Sequence, residues 1–254
     1  MIEEPFAVGE SWIHQLDPRL RVASATLFSV VVALAQRPLV IAVALISAMV
    51  LVALARLPGG RLMRRLGLAG MFLVFIGLIL PFTQPGEPLF HIGPLTASRE
   101  GVFLALSMMA KALAILSALT ALLATMSIAT LGHALHRLGI PAKLVYLLLI
   151  TYRYLFVMEQ EYQRLRRAAR IRGFNPRTNL HTYRTYAYLI GMLLVRAAAR
   201  AERVHQAMCC RGFRGRFYSL AEYPARSANR IFAAGMGMLV LGLALAQWGP
   251  GLVG

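Results

Sequence analysis

Apolar positions in this chain run in long blocks. Val22 to Ala35 is apolar with only Ser and Thr as polar guests, Gln36-Arg37-Pro38 interrupts it, and Leu39 to Ala55 follows. Leu66 to Phe82, Val102 to Met126 and Ile231 to Trp248 are three further blocks. A helix needs roughly 17–25 mostly apolar residues to cross a bilayer. The pattern therefore predicts five spans, the first two near the lower end of that range and joined as a hairpin at Pro38.

The polar segments between the blocks orient the spans. Asp17 before Pro18 predicts a capped helix start, and Trp12 suits a membrane interface. Arg56, Arg61, Arg64 and Arg65 cluster around Pro58-Gly59-Gly60, and basic loops favour the cytoplasm. The N-terminus then faces the cytoplasm, and the break at Pro38 and the C-terminus face outward. Thr83 to Arg99, rich in Pro and Gly and poor in basic charge, reads as an outer loop. Gly67, Gly70 and Gly77 in the third block permit close helix approach. Lys111 lies inside the fourth block, where a charge costs on the order of 3 kcal/mol. It reads as facing a partner helix or snorkelling, with an intramembrane functional role as the alternative.

The pattern changes after Met126. Ser127 to Gly139 predicts a short amphipathic helix with Leu131, Leu135 and Leu138 on one face and His133, His136 and Arg137 beside them. Two His three apart, with no Cys or carboxylate near, read as a wet interfacial face and not as a metal site. Pro141 opens the next helix, apolar from Leu144 to Met158 and charged from Glu159 to Arg172. One long helix that starts buried and ends exposed accounts for both halves; a membrane span over 141–158 stays open as an alternative. Gly173 and Pro176 stop it. Tyr183 to Met208 predicts another helix. Its apolar stripe is Tyr186, Ile190, Leu193, Ala197, Ala201, Val204 and Met208, and Arg196, Arg200 and Arg203 form a separate basic stripe. Gly212 and Gly215 end it.

Composition agrees with this outline. Of 254 residues, 58% are hydrophobic and 15% charged, which suits a polytopic membrane protein. The net charge of +17 is mostly Arg; several membrane-length runs exclude a nucleic-acid binder, and basic cytoplasmic loops account for much of it. Cys209 and Cys210 are adjacent and are the only cysteines, so neither a disulfide framework nor a zinc spacing is present. The acidic start Met1-Ile2-Glu3-Glu4 lacks the basic n-region of a cleaved signal peptide. No phosphate loop, His-Glu-x-x-His or Gly-x-Ser-x-Gly occurs, and no acid lies inside a span to build a proton relay.

What remains is a repeat. Ala168-Ala169-Arg170-Ile171-Arg172-Gly173-Phe174 and Ala207-Met208-Cys209-Cys210-Arg211-Gly212-Phe213 both end a basic helix in Arg-Gly-Phe. From Glu159 to Phe217 there are thirteen Arg and no Lys. Arg makes planar, bidentate pairs with carboxylates, and Gly allows close backbone approach. The bland alternative is two ordinary helix C-termini beside anionic lipid, where Arg is favourable in any case. The repetition points instead to two equivalent docking ends.

With these motifs the chain resembles the transmembrane coupling (T) component of energy-coupling factor transporters, most closely the CbiQ-type subunit of cobalt and nickel importers. The resemblance covers nearly the whole chain. It is strongest from Arg153-Tyr154 to Phe174 and from Gly191-Met192-Leu193-Leu194-Val195-Arg196 through Arg200-Ala201-Glu202-Arg203-Val204 to Gly215. Leu16-Asp17-Pro18-Arg19 is a weaker likeness. It implies an all-α polytopic fold with about five transmembrane helices and long cytoplasmic coupling helices between the fourth and the last. The corresponding division is 1–126 transmembrane, 127–217 coupling region and 218–254 terminal span. In that family two Ala-Arg-Gly signatures each enter a groove of one ABC-type ATPase subunit. The resemblance makes Arg172 and Arg211 the anchors, Gly173 and Gly212 their small neighbours, and Ala169, Arg170 and Cys210 adjoining contacts. The Ala position is Ile171 in one motif and Cys210 in the other, a departure that bears on local packing. The implied partners are two ATPase subunits and a CbiM-type substrate-binding membrane subunit, with or without a small CbiN-type subunit. ATP would be bound by the partners, with no cofactor or metal on this chain. A stand-alone secondary transporter or a membrane enzyme is the rival, but neither inverted repeats nor a reaction centre is visible.

Overall fold

The structure is a computed structural model, and it describes residues 13, 16–57, 59–83, 88–92, 95–214 and 227–249. Trp12, Pro58, Pro85, Gly86, Gly93, Pro94 and Gly215 lie outside the described residues. Eight helices are present among those described: α1 Pro18–Leu34, α2 Pro38–Ala55, α3 Gly59–Thr83, α4 Arg99–Leu122, α5 Ile128–Arg137, α6 Ala142–Ile171, α7 Leu180–Cys210 and α8 Ser227–Trp248. They fall into two compact units, one built from α1–α4 and α8, the other from α6 and α7, with the division inside α5.

In the first unit, α2 and α4 make the most extensive packing. Small residues recur among the buried positions of both: Ala44, Ala48 and Ala55 in α2, and Ala114, Ala118 and Ala121 in α4. In lipid there is no hydrophobic drive between helices, so contact depends on backbones coming close, which small side chains permit. Leu39, Ile46 and Met49 of α2 stay exposed and supply the apolar outer surface. Among the described residues, four helical segments are long and apolar enough to cross a bilayer: Pro38–Ala55, Leu62–Thr83, Arg99–Leu122 and Ala228–Trp248. The predicted first span falls in α1, which has only 17 residues and carries Arg19 and Arg21 in its first turn.

Helix α1 is nevertheless central. Asp17 caps it as predicted, its side chain accepting from the Arg19 amide at 3.0 Å, with Pro18 in the first turn. The Asp17 amide donates to Asn229 Oδ1 of α8 at 3.1 Å. Arg21 is buried, its Nε donating to the Leu122 carbonyl at 3.1 Å and its other arm to Thr125 Oγ1. A cation at the C-terminal end of α4 is favoured by the helix dipole and satisfies a carbonyl that the helix leaves unpaired. Lys111 behaves similarly. Its Nζ lies 3.5 Å from the Ala33 carbonyl at the end of α1, which is the partner-helix reading.

Two expectations need correction. The outer loop contains an antiparallel hairpin, β1 Pro88–Ile92 and β2 Leu95–Ser98, with Phe90 opposite Ala97 and Ile92 opposite Leu95. Ser98 ends the hairpin and caps α4, accepting from the Gly101 amide at 3.1 Å. Of the close-approach glycines, Gly77 has a close neighbour but Gly67 and Gly70 do not. A Cβ at Gly67 or Gly70 would meet nothing within 4 Å, and one at Gly77 would meet the flexible Met109 thioether at 2.8 Å. Gly101 is tight against backbone of another helix: a Cβ there would lie 2.8 Å from Pro81 Cα and 2.9 Å from the Leu80 carbonyl oxygen.

Gly101→Ala should therefore destabilise the protein by about 1–3 kcal/mol through overpacking, whereas Gly67→Ala should leave stability unchanged or slightly raised. Thermal unfolding in detergent, compared between the two variants, measures the difference.

Candidate functional site

The second unit is a pair of long helices. The sequence predicts one helix from Pro141 to Arg172, and α6 is continuous over 30 residues. Its apolar first half is not buried, however: Leu144, Leu147, Leu148 and Leu155 are exposed, and Val145 and Glu161 are its buried residues. The turn into α7 is held by side chains. Asn179 Oδ1 accepts from the Thr182 amide at 2.9 Å and from its hydroxyl at 2.7 Å. Thr182 Oγ1 in turn accepts from the Arg177 amide at 3.0 Å.

Contacts between α6 and α7 run in opposite directions along the two chains. Phe174, just past the end of α6, packs edge-on against Tyr186 of α7 with centroids 5.7 Å apart. Midway, Glu161 meets Arg196. Phe213, just past the end of α7, stacks on Tyr146 near the start of α6 at 5.3 Å and 28°. The helices are therefore antiparallel, and their C-terminal ends lie at opposite ends of the pair. From Tyr146 to Arg172 the helical rise amounts to about 40 Å, which sets the separation of the two Arg-Gly ends.

Those ends share one backbone construction. Arg172 and Arg211 occupy the C-cap with φ −81°, ψ 13° and φ −89°, ψ 11°. The following Gly173 and Gly212 are left-handed, at φ +84° and +78°. At the first end the Gly173 amide donates to the Arg170 carbonyl at 3.0 Å, and the Phe174 amide to the Ala169 carbonyl at 3.1 Å. At the second, Gly212 donates to Cys209 and Phe213 to Met208, each at 3.0 Å. This double bond pattern is the Schellman motif, and it needs a residue with no Cβ penalty at the left-handed position. A Cβ at either glycine would meet nothing within 4 Å, so what demands glycine is the turn itself and not crowding within the chain.

The predicted site residues fall into two groups about these turns. Arg170, Arg172 and Gly173 are exposed at the first end, with Ala169 half-buried behind them. Cys210, Arg211 and Gly212 are exposed at the second. Among the described residues, Arg172 and Arg211 have no ion-pair partner. The positions before them differ: Ile171 is 87% exposed, while Cys210 offers a free thiol. Cys209 Sγ lies 3.8 Å from His205 Nε2 one turn back. Arrays of three or more His, Cys, Asp or Glu able to hold a metal ion do not occur among the described residues.

Sequence reasoning misassigned part of the helix face. Ile190 and Ala201 of the predicted apolar stripe are exposed, whereas Leu189 and Arg200 are half-buried. The supposed separate basic stripe is split. Arg196 turns inward to Glu161, and Arg200 Nε is buried without a hydrogen-bond partner. Glu161 also has Arg164 at 3.6 Å. The Arg196 hydrogen bond holds the Glu161 carboxyl below its ordinary value of 4.5, helped by the charges of Arg196, Arg164 and Arg200 and opposed by desolvation. Tyr146, Tyr186 and Glu161 were given no site role. A signal was present for Glu161, since it is one of three acids among thirteen arginines from Glu159 to Phe217.

Comparison with known proteins places these features. The pattern of the CbiQ family, described as cobalt transport protein, matches residues 9–220. The chain belongs to this family. An energy-coupling factor transporter transmembrane protein EcfT from Acidaminococcus fermentans is 29% identical over 255 residues, covering 95% of this chain and 94% of the relative. EcfT of Listeria innocua is 28% identical over 228 residues, 85% of each chain. The cobalt transport protein CbiQ of Rhodobacter capsulatus is 32% identical over 164 residues, 62% of this chain and 61% of its own. This CbiQ-family member is thus a T component of the energy-coupling factor class and a multi-pass protein of the plasma membrane. The family match takes in both Arg-Gly ends and stops before α8.

Two predictions follow from the geometry. A non-glycine residue in the left-handed conformation costs roughly 1–2 kcal/mol. Gly173→Ala and Gly212→Ala should each reduce the population of their helix-end turn about 5- to 30-fold. Amide hydrogen exchange at Phe174 and Phe213 reads this, because those amides close the turns. The second concerns acid. A carboxyl depressed in the folded state contributes stability that is fully present above its unfolded value and is lost as pH falls through the folded one. Stability of the α6–α7 pair should hold from neutral pH to about 4.5 and decline below it. Glu161→Gln should lower the neutral plateau and flatten that decline, as followed by helical circular dichroism in thermal melts.

Proposed function

We propose that the chain is the coupling subunit of an ATP-driven importer for cobalt or nickel. On this reading Arg172 and Arg211 each dock into an acidic groove on one of two ABC-type ATPase subunits at the cytoplasmic face. A separate substrate-binding membrane subunit carries the metal specificity, and this chain transmits the ATPase motion to it without catalysing a reaction. One observation carries the reading: two helix ends of the same backbone construction, each presenting an exposed arginine, stand at opposite ends of one antiparallel pair. A dimer offers two equivalent grooves at a fixed spacing, and such a pair offers two equivalent plugs. The names of the relatives support the same class of assembly.

The mechanism follows from two attachments on one body. ATP binding closes the ATPase dimer and changes the distance between its grooves. Arginines pinned in both grooves must follow, so the angle or position of α6 and α7 changes. That movement reorients the substrate-binding subunit against the spans.

Arg172→Glu and Arg211→Glu test this, because each reverses the charge offered to an acidic groove. Co-purification with the ATPases should fall at least tenfold for each single variant and vanish for the double. Uptake of cobalt or nickel by cells should fall in parallel. Normal assembly and uptake in the double variant would overturn the docking assignment, and metal uptake by the purified chain in liposomes without ATPases would overturn the subunit assignment.

A further inference from the structure

Each Arg-Gly turn is followed by a phenylalanine whose ring is packed on the opposite helix. In a Schellman motif the residue after the glycine commonly makes its apolar contact back on its own helix. Here Phe174, following α6, rests on Tyr186 of α7, with His181 at 6.3 Å. Phe213, following α7, rests on Tyr146 of α6. The Tyr146 hydroxyl also points to Met208 Sδ at 3.9 Å, and the Met208 carbonyl accepts the amide bond that closes the second turn. The braces are crossed, with the charged pair of Glu161 and Arg196 between them.

We propose that Tyr146 and Tyr186 are positioning residues for the arginines of the opposite helix. Tyr146 sets the direction of Arg211 through Phe213, and Tyr186 sets that of Arg172 through Phe174. The cause is geometric. A helix end held only by its own backbone bonds frays within its last turn, since those bonds are local and exposed. Fixing the ring after the turn to a second helix adds a tertiary contact just beyond the glycine, and an aromatic pair contributes about 0.5–1.5 kcal/mol beyond its buried area. Because the braces are crossed, each arginine's orientation is referenced to the other helix. Two docking groups about 40 Å apart are then held as one body. The assignment rests on the docking reading for its purpose, but the positioning itself does not.

The test is a crossed mobility experiment on the full-length chain in lipid nanodiscs, with no ATPase present. A nitroxide is placed at native Cys210 in a Cys209→Ser background. In a second protein it is placed at Ile171→Cys with both native cysteines replaced by serine. Tyr146→Ala should mobilise the label at position 210, shortening its rotational correlation time at least twofold, and leave that at 171 unchanged. Tyr186→Ala should do the reverse. Tyr146→Phe and Tyr186→Phe, which keep the rings, should retain the immobile spectra. Should an alanine variant fail to fold, Phe213→Leu or Phe174→Leu replaces it with the same expectation for the nearer label. Unchanged mobility, or mobility rising equally at both labels, would overturn the proposal. Arg172→Glu and Arg211→Glu should leave both spectra unaltered. If those variants also leave ATPase binding intact, docking fails while the braces stand.

Discussion

The pairing of α6 with α7 depends on where positive charge is placed. Two like charges 4 Å apart repel by about 4 kcal/mol at the effective dielectric of a protein surface. Thirteen arginines lie between Glu159 and Phe217 against three acids, so the helices meet against a large excess of positive charge. Glu161 provides the one buried acid on α6, taking Arg196 from the opposite helix and Arg164 from its own. On either side of that ion pair the contacts are aromatic. Arg172 and Arg211, which the pair does not consume, are exposed at its ends. The same distribution that makes the pair possible therefore also makes its ends strongly basic.

This bears on how the proposed docking would work. An exposed ion pair contributes little, about 0–1 kcal/mol, and one arginine in a shallow groove would hold nothing for long. Two such groups on one body behave differently. Once the first is seated, the second meets its groove at an effective concentration set by the linkage, and avidity can exceed either affinity by about 10²–10⁴. That gain exists only where spacing matches the two grooves, which makes stiffness between the ends part of the binding energy. It also explains how a strongly held subunit can still respond to its partner: each contact is weak enough to adjust while the pair persists.

How much of this could be read from the chain follows from the range of the causes. Helix ends were legible because their signals are local. Asp17 and Pro18 start α1, and Gly173 and Gly212 end α6 and α7 at the expected residues. Among the described residues, apolar blocks located four helices that can cross a bilayer, and the repeat located two helix ends of the same construction. The hairpin of β1 and β2 was hidden because the Pro and Gly around it read as loop. The close approach at Gly101 was missed because the glycines of α3 fit a familiar spacing, yet spacing does not say which face meets a neighbour. Arg200 and Arg196 went to an outer stripe because a periodic pattern ranks positions by polarity. What turned Arg196 toward α6 was a carboxylate 35 residues earlier in sequence, and no local window contains both groups.

The choice of arginine at both ends can also be weighed against the simplest alternative, a basic residue serving only to finish a helix. The dipole at a helix C-terminus favours any cation by about 0.3–1 kcal/mol, and a basic side chain can also satisfy the last carbonyls. Here the turn takes up part of the second task. At the first end the amides of Gly173 and Phe174 take the carbonyls of Arg170 and Ala169; at the second, those of Gly212 and Phe213 take Cys209 and Met208. The arginine side chain is thereby released from that part of capping, and there remains for the helix a dipole term that lysine would supply equally. Arginine differs from lysine in its planar, bidentate fork, which matches carboxylate and phosphate groups and stacks on aromatic faces. Its use at both ends, in a stretch with no lysine at all, is consistent with the proposed docking on an acidic partner.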